Sequence, residues 1–258
     1  MSGPLGSSQF MYSTGAAGFY DYQIEHSCRF DHASDSSLTK TFSSDGNRRK
    51  FTYSVWIKPS YLIVTDTSNV YTVFAGAGEN DNKMAFYQSM SYNQLDQSLH
   101  SSSARLRDPN AWTHMVYAVD IDNSTAAYRF RVYVNGTELT DWGSDDRSSM
   151  SGDKAFNKAG GDSYIGDAYK SNQEWDGYMA EVIFLDGTQA TPSSFAETKN
   201  GVWVPKDPSS LTFGSNGFHL KFQNASALGD DSSGNNNDWT ANNMGTDHQV
   251  LDSPTFGS

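Results

Sequence analysis

Residues Trp112 to Leu139 constrain the fold more than any other stretch of this chain. Trp112, His114, Val116 and Ala118 alternate with Thr113, Met115, Tyr117 and Val119. A period of two belongs to an extended strand, with one face buried and the other wet or packed differently. Asp120 to Thr125 is a polar break, after which Tyr128, Phe130, Val132 and Val134 alternate with Arg129, Arg131 and Tyr133. Asn135-Gly136 then leads straight into Thr137-Glu138-Leu139. A type I′ turn needs positive φ at both central residues, so Asn-Gly between extended runs is the strongest short-range hairpin signal. The unit reads as an antiparallel meander.

Further extended segments flank it. Ser27 to Asp31, Ser37 to Phe42, Phe51 to Lys58, Val70 to Ala75, Lys83 to Tyr87 and Gln97 to His100 come before. Ser163 to Gly166, Tyr178 to Leu185, Val202 to Val204 and Gly217 to Phe222 come after. Clusters of Gly, Asn, Asp and Ser punctuate them, which is the chemistry of tight turns. In Phe51 to Lys58 the apolar odd positions are joined by Trp56, so both faces are expected to be covered; Pro59 ends the run because it cannot donate to a ladder. One short helix is expected near residues 192–199, with Thr191 as N-cap, Pro192 at the first helical position and Asn200-Gly201 as a left-handed stop. Many short strands between turn residues make the fold class all-β, a sandwich of two antiparallel sheets. The expected organisation is an arm for assembly at residues 1–20, a sandwich at 21–225 and a loop-rich tail at 226–258 packing on or next to it.

Charge narrows the function classes. Thirty acidic against 18 basic residues leave a net charge of −12, which repels phosphate backbones and anionic membrane surfaces. No apolar run approaches the roughly 18–20 residues of a membrane span, and residues 1–20 lack the basic and apolar regions of a secretion signal. Neither nucleic-acid binding nor membrane insertion is expected. Cys28 is the only cysteine, so no intrachain disulfide forms, as suits folding in a reducing cytoplasm. Beside Phe30 it reads as a small core residue.

The ordered series Phe30-Asp31, Phe51-Thr52, Trp56-Ile57-Lys58, Trp112-Thr113-His114, Tyr133 to Gly136, Tyr164-Ile165-Gly166 and Trp175 to Val182 resembles a concanavalin-A-like domain of the laminin-G type. The resemblance spans about residues 27–195 and implies a jelly-roll sandwich. Two departures stand out. The family pattern Gly-x-x-Asp-Glu-Val reads here Gly177-Tyr178-Met179-Ala180-Glu181-Val182, so any role of that Asp is lost. The run His219 to Phe222, followed by Asp231 to Asn235, resembles the opening strand and loop of such domains, yet it stands late in the chain. It implies a circularly permuted closure, the late strand returning near Cys28 to Phe30. The segments Met1 to Gln9 and Val250 to Thr255 are similar to virion proteins of marine tailed phages. That similarity implies a non-enzymatic virion structural protein, a fibre or a decoration of capsid or tail, assembled in the host cytoplasm. Its partners would be other virion proteins, further copies of itself as a homo-oligomer such as a trimer, and a host-surface glycan. A stand-alone carbohydrate-binding adhesin and a glucan depolymerase are the alternatives.

Candidate chemistry follows from residue type. Glucan cleavage on such a sandwich needs two carboxylates across a glycosidic bond, and Glu174, Asp176 and Glu181 are the nearest set. In a regular strand Glu174 and Asp176 share a face while Glu181 falls opposite, so catalysis is not expected unless Gly177 introduces a bulge. Hard oxygen ligands for calcium are offered by Asp31 with Asp35, Asp120 with Asp122, and Asp145 with Asp146; none has an EF-hand spacing, and no cofactor is required. Sugar binding would use loop tryptophans beside acidic acceptors: Trp142 with Asp145, Trp175 with Asp176, and Trp239. His114 reads as a core histidine beside Trp112.

Overall fold

The computed structural model describes residues 18–77, 82–96, 98–168 and 172–255. The expected arm at 1–20 lies almost wholly outside them. In chain order the strands are β1 (Ser27–Phe30), β2 (Ser37–Thr41), β3 (Lys50–Pro59), β4 (Val70–Ala75), β5 (Asn82–Tyr87) and β6 (Met90–Leu95). Next are β7 (Ser98–Arg105), β8 (Thr113–Asp120), β9 (Phe130–Val134), β10 (Thr137–Glu138), β11 (Trp142–Asp145) and β12 (Asp162–Ile165). The last are β13 (Gly177–Asp186), β14 (Ala196–Lys199), β15 (Val202–Pro205), β16 (Phe218–Leu220), β17 (Thr240–Asn242) and β18 (Gln249–Val250). One sheet runs β10-β9-β8-β3-β13-β1-β18, with β16 also on β13; the other runs β11-β7-β6-β5-β4-β12-β2-β17.

The two sheets enclose one core. From the first sheet Phe51, Tyr53, Val55 and Ile57 of β3 meet Met115, Tyr117 and Val119 of β8, all fully buried. From the second come Tyr71, Val73, Phe74, Met84, Phe86 and Leu95. Tyr53 stacks on Phe74 across the gap at 4.6 Å between ring centres. Each such ring contributes about 1.5–3 kcal/mol by leaving water. Cys28 lies in this core at 0% exposure, where burial pushes its thiol far above the ordinary range.

The opposite face of the first sheet is covered too, by a third layer. Val116, Ala118, Ile183 and Leu185 pack with Phe195, and Trp56 and Ala180 pack with Ile24 and Ala196. The β14–β15 hairpin brings Trp203 down so that its Nε1 donates to His114 Nδ1 at 3.1 Å. Since Nδ1 accepts, the proton of this neutral imidazole sits on Nε2 and is donated to Ser54 Oγ at 2.8 Å. Burial holds His114 down to about 3. Trp56 stacks on its ring at 4.8 Å. His114 is thus a core histidine, wedged between Trp56 and Trp203.

Gly136, at φ 80, follows Asn135 at φ 45, the pair of left-handed residues a type I′ turn requires. A side chain at Gly136 would collide with the Trp203 ring.

The helix expected near 192–199 is corrected. Only Pro192–Ser194 forms a single 3-10 turn, and Thr191 makes no capping bond. Ala196–Lys199 is strand β14, paired with β15. Asn200 and Gly201 have φ of 52 and 82, so this Asn-Gly is a second type I′ hairpin rather than a helix stop. A one-turn nucleus cannot compete with four paired residues. The α-helix among the described residues is α1 (Tyr61–Thr65), which follows Pro59.

The late strand returns as the permuted reading requires. β16 lies on β13 through Val182↔Leu220 to Phe184↔Phe218, while β1 occupies the same edge of β13 at Cys28↔Met179 to Phe30↔Gly177. The two are collinear rather than paired, and Phe30 and Leu220 share one core. Within residues 226–255, β17 extends the second sheet on β2, β18 extends the first on β1, and Trp239 enters the core.

Candidate functional site

The site begins with a bulge in β13. Met179 faces the core and Ala180 faces the third layer. In unbroken alternation Glu181 would then point into the core, yet Val182 and Phe184 do so instead, with Ile183 outward. The register of β13 on β3 shifts between Ala180 and Ile183, and Glu181 takes a left-handed φ of 51. One extra residue at this point keeps a carboxylate out of an apolar interior. The bulge lies at Glu181 and not at Gly177.

What the bulge presents is a polar trio, two members buried and Tyr22 half-buried. Glu181 Oε1 accepts from His219 Nε2 at 2.6 Å and from the Tyr22 hydroxyl at 2.8 Å. The side chains of His219 and Glu181 are 3% and 6% exposed. Burial first, and the adjoining Glu181 charge second, push the Tyr22 phenol far up, so it remains a donor. Phe213 stacks flat on His219, ring centres 6.1 Å apart. Over the trio opens a pocket of about 210 Å³, lined by Tyr22, Gln23, Glu25, His26, Glu181, Lys221 and Gln223 around Ile24. It is smaller than the roughly 300–1,000 Å³ of sites for drug-sized ligands. Its lining supplies both donors and acceptors, as a polyhydroxylated ligand of one ring demands.

The sequence-predicted residues are distributed differently. Trp175 is 0% exposed and Trp239 5%, both inside the core, so neither presents a ring face to a sugar. Trp142 is not in a loop but on β11, half-buried, with the Arg147 guanidinium 4.9 Å over its ring. Asp145 is drawn to that same Arg147, which holds its carboxyl below the usual range. Glu174 stands 3.0 Å from His32 Nδ1, off the hydrogen-bond direction, and its Oε1 accepts from Asn172 N. Asp176 holds Ser60 N through its backbone carbonyl. The carboxyls of Glu174 and Asp176 both stand near His32, whereas Glu181 faces Tyr22 and His219, so Glu181 does not share a groove with the other two.

Of the aspartates named for calcium, Asp31, Asp120 and Asp122 have basic partners. Asp31 accepts from Ala33 N at 3.0 Å and pairs with Arg29 at 3.0 Å; Asp35 is exposed beyond it. Asp120 pairs with Lys50 at 2.9 Å and Asp122 with Arg49, at the opposite end of the sandwich. Among the described residues no group of three or more His, Cys, Asp or Glu side chains is placed to hold a metal ion, and no helix is long and apolar enough to cross a membrane.

The rim near Asp31 carries an excess of negative charge with a readable consequence. Burial, with Glu174 and Asp35 close by, raises Asp167 to about 6. Its unfolded value is near 3.9, so the folded state binds the extra proton between those values and loses stability as pH rises through that window. Asp167→Asn is expected to be more stable than wild type at pH 8 by about 0.5–1 kcal/mol, allowing for partial exposure. The gain should vanish at pH 4. Urea melts at the two pH values check this; a gain equal at both would refute it.

Tyr22, His219 and Lys221 escaped sequence reasoning, since residues 22, 181 and 219 meet only in space. The available signal was a lone glutamate, Glu181, inside an otherwise apolar strand.

No curated protein matches this sequence. Among solved structures, a heptameric SAP-like pentraxin from Limulus polyphemus aligns at 16% identity and TM-score 0.45, covering 66% of this chain and 80% of that one. Domain 4 of the arabinanase AbnA from Geobacillus stearothermophilus, in complex with arabinotriose, aligns at 19% and 0.40, covering 58% and 67%. The LG4-5 domains of mouse laminin alpha1 align at 11% and 0.43, covering 85% and 52%. At such values these likenesses carry no functional weight. A laminin-G family profile, described as concanavalin A-like lectin/glucanases superfamily, matches residues 31–191, well over half of the chain's 258 residues. With its two-sheet antiparallel sandwich, the chain belongs to the concanavalin A-like lectin/glucanases superfamily.

Proposed function

We propose that this protein is a non-catalytic attachment module of a phage virion that binds a host-surface glycan in the Glu181 pocket. The observation that carries the binding reading is the pocket itself, a ring-sized hollow of mixed hydrogen-bonding side chains above an oriented, buried carboxylate. Glu181 is positioned there to accept from ligand hydroxyls, and Lys221 and the glutamines to donate. The non-catalytic reading is supported by the separation of Glu181 from Glu174 and Asp176. The virion assignment, with assembly into a homo-oligomer and onto other virion proteins, rests on the similarity of the terminal segments. Calcium has no place in this reading.

A glycan array followed by titration calorimetry tests the binding. Wild type is expected to retain at least one neutral glycan. Gln223→Ala and Lys221→Ala, on the pocket wall, should weaken it by about 1–2 kcal/mol each with unchanged melting temperature. Chelator should have no effect. Binding that is indifferent to both wall variants, or absent for every glycan, would reject the pocket.

A further inference from the structure

The chain contains three Asn-Gly pairs, Asn135-Gly136, Asn200-Gly201 and Asn216-Gly217. Before glycine, an asparagine side-chain amide is most open to attack by the next backbone nitrogen, because no Cβ screens that nitrogen. The fold treats the three pairs differently. Asn135 Oδ1 accepts from His114 N at 2.8 Å, Asn135 N donates to His114 O at 2.9 Å, and Gly136 is backed by the Trp203 ring. Asn216 is 6% exposed, and its Nδ2 donates to Ser44 O at 2.9 Å and to Asn157 Oδ1 at 2.8 Å. Gly217 N is engaged as well, donating to Gly214 O at 3.3 Å. Asn200 has none of this restraint. Both it and Gly201 are exposed, and its side chain has no hydrogen-bond partner among the described residues. A Cβ built at Gly201 would meet nothing within 4 Å. The tip is closed by the Lys199↔Val202 pair at the end of the β14–β15 ladder, and such ends open most readily.

We propose that Asn200 is a modification site, the one Asn-Gly pair that the fold leaves free to deamidate through a succinimide. Gly201 N gives up its proton to solvent base and bonds to Asn200 Cγ. The Cγ–Nδ2 bond breaks, ammonia leaves, and a five-membered ring joins the two residues. Water then opens the ring at one carbonyl or the other, giving aspartate or isoaspartate, with nothing oxidised or reduced. Both residues are left-handed in the turn, at φ 52 and 82, and ring closure draws Asn200 out of it, so the rate follows opening of the tip. The consequence reaches inward. Trp203, opposite Thr198 in the ladder, donates to His114 Nδ1. Isoaspartate carries the main chain through the side-chain carbon, which lengthens the tight turn and loosens the register that seats Trp203. The reaction needs neither the Glu181 pocket nor a glycan.

The full chain aged in mildly alkaline buffer, folded and in guanidinium chloride, tests this by peptide mass spectrometry. Unfolded, the three pairs are expected to convert at comparable rates. Folded, Asn200 should convert about tenfold or more faster than Asn135 and Asn216, a ratio that ~1.4 kcal/mol of local opening supplies. Asn200→Gln, which could close only a six-membered ring, should abolish the folded-state conversion of the hairpin peptide. Equal rates for the three pairs in the folded chain, or conversion retained in Asn200→Gln, would overturn the proposal. The isoaspartate form, separated by ion exchange, should exchange the amides of β14 and β15 faster than Asn200→Asp, which carries the charge without the extra main-chain carbon. Equal exchange in those two would overturn the loosening of Trp203.

Discussion

Trp239→Ala is expected to lower the unfolding free energy by about 3–5 kcal/mol, enough to remove a large part of the stability of a domain. The indole is 5% exposed and meets Phe218 at 4.9 Å between ring centres, with Phe42 and Phe74 each at 6.4 Å. Around it the chain is tight: Trp239 N donates to Gly229 O at 2.9 Å. Truncation would open a cavity walled by aromatic rings that cannot collapse inward. It would also release β17, which begins at the next residue and holds the end of the second sheet through Thr240↔Thr39. Trp239→Phe should cost far less, because the indole Nε1 has no partner to lose. Guanidinium melts of the two variants beside wild type test the assignment. A Trp239→Ala protein with unimpaired stability and impaired sugar binding would restore the surface reading and reject the core one.

His219→Leu is expected to destabilise by about 3 kcal/mol, because it leaves the buried Glu181 carboxylate without its shortest hydrogen-bond donor. Glu181 would keep the Tyr22 hydroxyl but lose its shortest contact. Glu181→Gln in the wild-type background should cost only about 1 kcal/mol, since a neutral amide oxygen still accepts from both donors. In the His219→Leu background the same Glu181→Gln change should become stabilising. That inversion of sign isolates the buried charge as the cause, and a double-mutant cycle by urea denaturation measures it. Equal effects of Glu181→Gln in both backgrounds would mean that His219 and Glu181 are not coupled. The hydrogen bond from Tyr22 ties the entry segment to this pair, so exchange of the amides at 22–26 should quicken in His219→Leu.

Legibility followed the strength of local pattern. β3 and β8 were readable because their alternation is long and uninterrupted, and the covering of both faces of β3 was announced by Trp56. β6 went unseen because its inward positions are Ser91, Asn93 and Leu95, two of them polar; buried polar residues erase the hydrophobic period. The two Asn-Gly turns show how context decides. Asn135-Gly136 sits between alternating runs and was read as a hairpin, whereas Asn200-Gly201 follows Pro192 and was read as the end of a helix. Both have the same left-handed backbone. β17 and β18 are two or three residues long and carry no pattern of their own.

Trp175 and Trp239 mark a different limit. Each lies among Asp, Asn and Gly in sequence, the setting of a surface loop, yet each side chain turns inward. A loop's polar residues satisfy its own backbone: Asp231 accepts from His219 N and Asn237 N, while Asn235 and Asn237 both donate to Gly217 O. That internal bonding frees the one large apolar side chain to pack.

Local periodicity and turn chemistry, which act between residues two to four apart, are present in the amino-acid order alone. They determined the all-β class, most of the central strands, the Asn135-Gly136 turn and the burial of Cys28 and His114. Side-chain convergence acts between residues far apart in the chain, and it has no local signature. Only the folded sandwich decided that Tyr22, Glu181 and His219 meet at one bulge, that Asp31, Asp120, Asp122 and Asp145 pair with neighbouring cations, and that Trp239 belongs to the interior.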